Sequence, residues 1–231
     1  MVSKNLKKAA GITDRELNEI YNKIPVGYDR ANAYISFFQD IKWRTFIAKQ
    51  VVVNHNPSKI LDAACGKGEL SFIIKKISEA YIVMTDYSEN MLRNAIVEND
   101  MILASFDNLP FKDNSFDAVI STFALHAADN IETVVREFTR VAGNSVSVIA
   151  MGKSDNRFYR FISGFYLRYV QPYIAIFGGE KPSDYKFIYD IYKRIPLNSE
   201  VRKIAEKYLE LEMFEEKAFG TVYIFSGKKR D

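Results

Sequence analysis

The sequence has few of the residues that form covalent cross-links, membrane spans and metal sites. Cys65 is the single cysteine among 231 residues, so no internal disulfide can form, and a reducing compartment suits the chain. The two histidines, His55 and His126, have no second ligand at metal-binding spacing, so no metal site is expected. No uninterrupted apolar window is long enough to span a bilayer. The first twenty residues have lysines but no apolar stretch, so secretion is not expected.

A large excess of one charge is also missing. The chain has 32 Lys and Arg residues against 29 Asp and Glu residues, and its formal net charge is +3. This balance does not require a polyanionic partner, and the sequence has no basic stripe interleaved with aromatic residues. Nucleic acid is therefore not an expected partner.

Short apolar runs alternate with helical segments in the middle of the chain. The predicted strands are 58–63, 81–85, 101–104, 116–121 and 144–150, and the helices between them are 69–78, 89–98 and 130–141. Strands separated by helices of about ten residues are typical of βαβ units with right-handed crossovers. We predict an α/β fold with a doubly wound, mostly parallel sheet of seven strands, the last two lying around Gly220.

Helical segments flank this region on both sides. Two N-terminal helices are predicted, at 12–24 with Asp14 near its start, and at 29–53. The inward positions expected in the second helix are Ile35, Phe38, Ile41, Phe46 and Ile47. We interpret residues 1–231 as a single domain. Its parts are an N-terminal helical cap (1–56), a cofactor-binding half (57–152), an aromatic helical lid insertion (153–196), and a closing helix with strands (197–231).

The stretch "ILDAACGKGELSF" (60–72) follows the first strand with a glycine-rich turn. Gly66 and Gly68 allow the backbone to approach a ligand, although such a pair is also compatible with a simple tight turn. The dinucleotide pattern needs a third glycine where Ser71 stands, and no G-K-[ST] follows. Asp62 disfavours phosphate, and Asp86 can accept hydrogen bonds from ribose hydroxyls. A ribose-bearing, phosphate-free ligand with a positive centre is S-adenosylmethionine.

Several segments resemble the successive motifs of class I methyltransferases. These are "ILDAACGKGEL" (60–70), "MTDYSENML" (84–92), "FDNLPFKDNSFDAVISTFAL" (106–125) and "IETVVREFTRV" (131–141). "GYDRAN" (27–32), the aromatic segment and "FGTVYIFSGKK" (219–229) extend the resemblance to the ubiquinone/menaquinone-biosynthesis C-methyltransferases, over about residues 26–229. The resemblance implies a Rossmann-like fold, S-adenosylmethionine as cofactor, and methylation of a quinone-precursor ring.

The resemblance also implies a set of cofactor-binding positions. Asp86 would hold the ribose, Ser105 and Phe106 would flank the adenine, and Thr122 would line the methionine end. Ser105 stands where the family commonly has Asp or Asn, so the adenine amino contact is expected either to weaken or to pass to Asp107. The remaining positions of the set are Asp62, Ala63, Gly66, Lys67, Gly68, Tyr87 and Met91.

Two residues are candidates for removing a proton from the methyl acceptor. Tyr28 lies in "GYDRAN", where the family has a Tyr-Asp pair near the substrate. His126 stands with Ala127 where the family usually has Arg-Asn, and a histidine titrates near neutrality. The alternative for His126 is a loop residue without a role. His55, in the linker "NHNPSK", is expected to be structural or solvated.

The aromatic segment 157–192 is compatible with a core or with an apolar lid. Arg157, Arg160 and Arg168 exclude a membrane span but suit a surface that touches a bilayer and collects a prenylated substrate. We therefore expect a cytoplasmic enzyme with a lipophilic small-molecule substrate and peripheral contact with the inner membrane face. A methyltransferase for another small acceptor and a protein that binds S-adenosylmethionine without turnover remain as alternatives.

Overall fold

A seven-stranded sheet forms the centre of the computed structural model, which describes residues 28–179 and 181–230. The strand order is β3-β2-β1-β4-β5-β7-β6, and β7 runs antiparallel to both its neighbours while the other pairs are parallel. The strands are β1 Lys59–Ala63, β2 Tyr81–Asp86, β3 Asp100–Leu103, β4 Phe116–Thr122, β5 Ala142–Met151, β6 Leu209–Lys217 and β7 Val222–Lys229. The predicted doubly wound, mostly parallel sheet is confirmed.

Helices cover both faces of the sheet. They are α1 Tyr28–Ile35, α2 Gln39–His55, α3 Glu69–Ile74, α4 Glu89–Arg93, α5 Ile131–Val141, α6 Arg157–Phe165, α7 Gln171–Ile174, α8 Lys186–Arg194 and α9 Asn198–Tyr208. Shorter 3-10 turns span Leu125–Ala127, Ala175–Gly178, Pro182–Tyr185 and Ala218–Gly220, and Tyr166–Val170 is a π-helical turn. Polar N-caps fix two of the helices that follow strands, because Ser88 accepts from the Met91 N–H and Asn130 accepts from the Thr133 N–H.

Alternate residues of the parallel strands face opposite layers, as the period of a strand requires. Leu61 of β1 packs with Val135 and Phe138 of α5 on one face. Its neighbour Ile60 packs with Ile47 and Val51 of α2 on the other face. The strands are therefore buried on both sides, which explains why they read as continuous apolar runs in the sequence.

The predicted N-terminal helix 29–53 is in fact two helices. The chain turns at Ser36–Phe38, where Phe37 and Phe38 both have left-handed backbone angles, with φ 52° and 59°. Phe38 and Ile41 are exposed, so the prediction that they face inward was wrong, whereas Ile47 is fully buried. The helices predicted at 69–78 and 89–98 end earlier, at Ile74 and Arg93. The helix predicted at 12–24 lies outside the described residues.

The aromatic helices that follow β5 pack at its carboxyl end. Met151, the last residue of β5, forms a small core with Leu167, Ile191, Tyr192 and Ile195. The α1 helix joins this group, because the Tyr166 hydroxyl donates a hydrogen bond of 2.7 Å to the Ile35 carbonyl oxygen. Within the described ranges, no helix combines the length and hydrophobicity needed to cross a membrane.

Candidate active site

A cavity of about 590 Å³ opens at the carboxyl ends of the parallel strands. The loops after β1, β2, β3 and β4 contribute to its walls, and residues of α1, α2 and α5 complete them. Strand order reverses between β1 and β4, and this switch point is where open α/β sheets bind ligands. The size lies within the range of small-molecule sites.

The two positions in the loop after β1 are glycine for different structural reasons. Both have left-handed angles, with φ 59° at Gly66 and 86° at Gly68. A Cβ on Gly66 would meet only a Glu69 carboxylate oxygen, at 3.8 Å, so Gly66 lies beside open space. A Cβ on Gly68 would lie 2.6 Å from Met84 Cε and 2.9 Å from Val97 Cγ1. Gly66 therefore lines the cavity, while Gly68 is required by packing behind it.

Asp86, at the end of β2, is held by the backbone of two loops. Its Oδ2 accepts a 2.8 Å hydrogen bond from the Gly66 N–H, and its Oδ1 accepts one of 2.8 Å from the Ser88 N–H. Desolvation by the surrounding protein raises the pKa of this carboxyl above its ordinary value. A carboxylate has about four acceptor positions, so Asp86 can still accept hydrogen bonds from a ligand in the cavity that it lines.

Asp62 lies behind the glycine-rich loop rather than on the cavity wall. The side chain is fully buried, and Oδ2 accepts a 2.7 Å hydrogen bond from the Ser71 hydroxyl. Burial raises its pKa to about 7, against the lowering effect of that hydrogen bond. Ser71, which breaks the dinucleotide glycine pattern, thus supports Asp62. Ala63 is also a buried strand residue outside the cavity lining.

The other predicted cofactor positions meet around the cavity. Phe106 packs its ring against Phe138 of α5, with centroids 6.4 Å apart, so its orientation is fixed by the core. Met91 is buried and Tyr87 is exposed. The predicted positions that line the cavity are Gly66, Lys67, Asp86, Tyr87, Met91, Ser105, Phe106, Asp107 and Thr122.

Of the two predicted proton acceptors, His126 does not line the cavity. His126 is half-buried, and its Nδ1 accepts a hydrogen bond of 3.3 Å from the Met151 N–H. Desolvation lowers its pKa to about 4, so the imidazole is neutral at physiological pH. Tyr28 is the first residue of α1, and its side chain lies outside the described structure.

His55 has a structural position, in line with its predicted role. Its side chain is buried, and Nε2 lies 3.1 Å from Glu212 Oε2, which joins α2 to β6. No group of three His, Cys, Asp or Glu side chains in residues 28–179 and 181–230 is arranged to hold a metal ion.

The N-terminal helices supply cavity residues that the sequence interpretation missed. Asn32 of α1 and Asp40 and Arg44 of α2 line the cavity. Asp40 and Arg44 form an ion pair of 3.0 Å between Oδ2 and Nη1. Their i,i+4 spacing was visible in the sequence, but such pairs usually lie on a solvated helix face. Only the fold shows that this pair faces the carboxyl edge of the sheet.

Acidic side chains outnumber basic ones in the cavity. The basic residues are Arg44 and Lys67, and the acidic residues are Asp40, Glu69, Asp86, Asp107 and Asp129. This charge distribution favours a cationic ligand and opposes a phosphate.

Solved structures share the fold of this chain. The magnesium protoporphyrin IX methyltransferase from Synechocystis PCC 6803, with bound SAH, is 15% identical with a TM-score of 0.61, covering 94% of this chain and 100% of that one. A SAM dependent methyltransferase from Aquifex aeolicus is 16% identical with a TM-score of 0.50, covering 75% of this chain and 82% of that one. The fold is the Rossmann-like fold of these methyltransferases.

Sequence comparison gives the family. Residues 9–229 match the ubiE/COQ5 methyltransferase family, so the chain belongs to this family of S-adenosylmethionine-dependent methyltransferases. A demethylmenaquinone methyltransferase from Listeria monocytogenes serotype 4a is 28% identical, over 92% of this chain and 91% of the relative. One from Thermotoga maritima is 31% identical, over 74% of this chain and 77% of the relative.

Proposed function

We propose that the cavity binds S-adenosylmethionine and that the methyl acceptor is a hydroxylated quinone-precursor ring with an apolar tail. Two relatives are named as demethylmenaquinone methyltransferases, which supports a ring of this type. The observation that carries the proposal is the position of α1, which joins the cavity to an exposed aromatic surface.

The residues of the cavity fit the cofactor. Open space beside Gly66 leaves room for a ligand chain against the backbone. Asp86 retains acceptor capacity for two ribose hydroxyls, and Phe106 offers an anchored ring face to an adenine. The acidic lining is complementary to a sulfonium cation, whereas a site that binds phosphate would be lined by basic groups.

The α1 helix provides a route for an apolar tail. Asn32 lines the cavity, and Tyr34, two residues later, contacts Phe38 and Phe177 with ring centroids 5.4 and 6.2 Å away. Phe177 is 73% exposed. A ring placed in the cavity can therefore extend a hydrocarbon tail along α1 onto these aromatic side chains.

When bound, the cofactor supplies an electrophilic methyl group for attack by an electron-rich ring carbon. The protein contributes mainly by aligning the two reactants and by keeping water away. Alignment of this kind is worth on the order of 7–11 kcal/mol. A proton acceptor is also needed, because a phenol becomes a strong carbon nucleophile only after its hydroxyl is deprotonated.

The exposed aromatic side chains form what we call the aromatic surface. Its members are Phe37, Phe38, Phe158, Phe161, Phe165, Tyr173, Phe177 and Phe219. Arg157 and Arg168 are exposed among them. Exposed aromatic side chains with basic neighbours suit the interface of an anionic bilayer. We place the protein in the cytoplasm, with this surface in peripheral contact with the inner membrane face, where a prenylated acceptor resides.

The acceptor is tested with the full chain and cofactor labelled in its methyl group. Purified protein is incubated with a naphthohydroquinone carrying one prenyl unit, with a benzohydroquinone of equal tail length, and with an aqueous cell extract. Label in a ring-carbon methyl of either hydroquinone supports the proposal. Transfer only to water-soluble acceptors overturns the acceptor class. If calorimetry shows that the cofactor binds but no methyl group is transferred to any acceptor, the proposal that the protein is catalytically active is overturned.

A further inference from the structure

The Asp40–Arg44 pair lies over the switch point of the sheet. Arg44 places its guanidinium carbon 4.7 Å from the ring centroid of Phe123, the residue directly after β4. The charge of Arg44 also opposes the rise in the pKa of Asp62, at the end of β1. Arg44 is therefore close to the carboxyl ends of both strands between which the order reverses.

Arg44 has hydrogen-bonding capacity beyond its ion pair. A guanidinium has five N–H donors, and Nη1 donates to Asp40 at 3.0 Å. The Nε atom is buried and has no hydrogen-bond partner among the described residues. An oxygen atom of a ligand in the cavity would satisfy a donor on this guanidinium.

Asp40 is held in place from two sides. Its Oδ1 accepts a 2.7 Å hydrogen bond from the Ser36 hydroxyl, and its Oδ2 accepts from Arg44. These contacts use part of the acceptor capacity of the carboxylate, which lines the cavity. Ser36 lies in the turn before α2, four residues ahead of Asp40.

His126 is less suited to contact an acceptor. Its side chain does not line the cavity, and Nδ1 is already occupied by the Met151 N–H. The neutral ring then carries its proton on Nε2, so that nitrogen is a donor rather than a base. Asp40 has the opposite properties, with free acceptor positions on the cavity wall.

We propose that Asp40 and Arg44 form the site that binds the methyl acceptor. Arg44 binds a hydroxyl oxygen of the acceptor ring, and Asp40 takes the proton of that hydroxyl. This inference rests on the proposed hydroxyaromatic acceptor. The ring O–H bond breaks, its proton forms a new O–H bond on Asp40, and the electron pair remains on the ring oxygen beside Arg44. After the ring carbon gains its methyl group, the C–H proton on that carbon leaves to solvent, which restores aromaticity. Asp40 then returns its proton to the oxygen, so one proton is released overall.

Other charged side chains face the same space as Asp40. They are Lys67 and Glu69 after β1, Asp86 at the end of β2, Asp107 after β3 and Asp129 after β4, with Arg44 on the same helix. Protonated Asp40 cannot accept the hydroxyl proton, so turnover has an acidic limb.

The test compares Asp40→Asn and Arg44→Met with Lys42→Met, which removes an exposed charge from the same helix. Asp40→Asn is expected to lower kcat by about 100-fold or more, with loss of the acidic limb of the kcat profile. Arg44→Met is expected to weaken calorimetric binding of 1-naphthol about tenfold or more. All three variants should bind S-adenosylhomocysteine within about threefold of wild type, and Lys42→Met should leave every other measurement unchanged.

Three outcomes overturn the inference. The first is an Asp40→Asn enzyme with wild-type kcat, and the second is an unchanged acidic limb in its kcat profile. The third is a loss of S-adenosylhomocysteine affinity in Asp40→Asn that is as large as its loss of kcat. If Asp40→Asn does not fold, Ser36→Ala decides, since removing the hydrogen bond to Asp40 must shift the acidic limb. A wild-type enzyme that methylates no hydroxyaromatic compound refutes the proposed function separately. The 1-naphthol titration of wild type against Arg44→Met then still tests the site, and equal affinity counts against it.

Discussion

The backbone N–H of Gly66 donates a hydrogen bond of 2.8 Å to Asp86 Oδ2, which ties the loop after β1 to the end of β2. The same carboxylate accepts from the Ser88 N–H and so reaches the N-cap of α4. Asp86 thus organises two walls of the cavity besides facing a ligand. One side chain can make all these contacts because an ionised carboxylate accepts hydrogen bonds from several directions.

Replacing Asp86 with Ala is expected to weaken S-adenosylhomocysteine binding by about 1–3 kcal/mol, or about 5- to 150-fold. Asp86→Asn should also weaken it, because an amide nitrogen cannot accept from a backbone N–H. Isothermal calorimetry measures both, with Glu79→Gln as the control for loss of an exposed acid. Wild-type affinity in Asp86→Ala would remove this residue from the cofactor site.

The two glycines of the loop make a matched pair. Gly66→Ala and Gly68→Ala each carry a left-handed backbone cost of about 1–2 kcal/mol. Only Gly68→Ala also collides with Met84 and Val97, so its free energy of unfolding should be lower by a further 1–3 kcal/mol or so. Gly66→Ala should instead lose most cofactor-product affinity, because its Cβ enters the cavity. Urea unfolding and calorimetry separate the two effects, and identical behaviour would contradict the assignment.

His126 should make stability depend on pH. Its folded pKa of about 4 lies below the ordinary 6.5, so the unfolded chain binds more protons between these values. Stability from this group is present above pH 6.5 and is lost as the pH falls towards 4. His126→Gln lacks that loss. Between pH 7 and pH 4, the free energy of unfolding of the variant should therefore rise by about 1–3 kcal/mol relative to that of wild type. The lower part of this range reflects the partial exposure of His126.

Urea titrations at several pH values measure this difference. Asp62, with its pKa raised to about 7, contributes with the opposite sign, but it does so in both proteins and cancels. The same variant also tests the sequence-based prediction that His126 is a catalytic base. Unchanged kcat in His126→Gln would contradict that prediction, and a parallel stability curve would contradict the pH argument.

The aromatic surface predicts binding to anionic vesicles. The double substitution Phe158→Ser and Phe161→Ser removes two exposed rings of α6, of which Phe161 is 71% exposed. The partition constant for phosphatidylglycerol vesicles, measured by flotation, should fall about 100-fold or more, because each buried aromatic ring contributes roughly 1.5–3 kcal/mol. Phe72→Ser, at an exposed phenylalanine of α3, is the matched control. Wild-type protein that stays entirely in the soluble fraction would contradict membrane contact.

Local patterns were sufficient to predict the sheet. Ile60 and Leu61 belong to an apolar run because both faces of β1 are buried, and the helix between β1 and β2 follows from the ten-residue spacing. The break at Phe37 and Phe38 was not predictable in this way. Neither glycine nor proline marks it, and two phenylalanines in the left-handed region are held there by contacts distant in sequence, such as that of Phe37 with Tyr166.

In the candidate site, too, some residues were predictable from local sequence and others depended on tertiary packing. Asp86 and Phe106 were found because they follow strands, and strand ends converge in any parallel sheet. Asp40 and Arg44 were missed because their approach depends on how α2 packs across β1 and β4, which is a tertiary property. Asp62 was expected beside the ligand, yet its burial behind the loop depends on Ser71, nine residues away.

The strand order β5-β7-β6 has a consequence for how the polypeptide reaches its folded state during synthesis. Strand β5 is complete at Met151, but the edge that it offers to β7 has no partner until Val222–Lys229 has been made. A growing chain therefore carries an open strand edge while some seventy further residues leave the ribosome, and such edges recruit other chains. The aromatic helices, which are made in that interval, pack at Met151 and so reach only the carboxyl end of that edge.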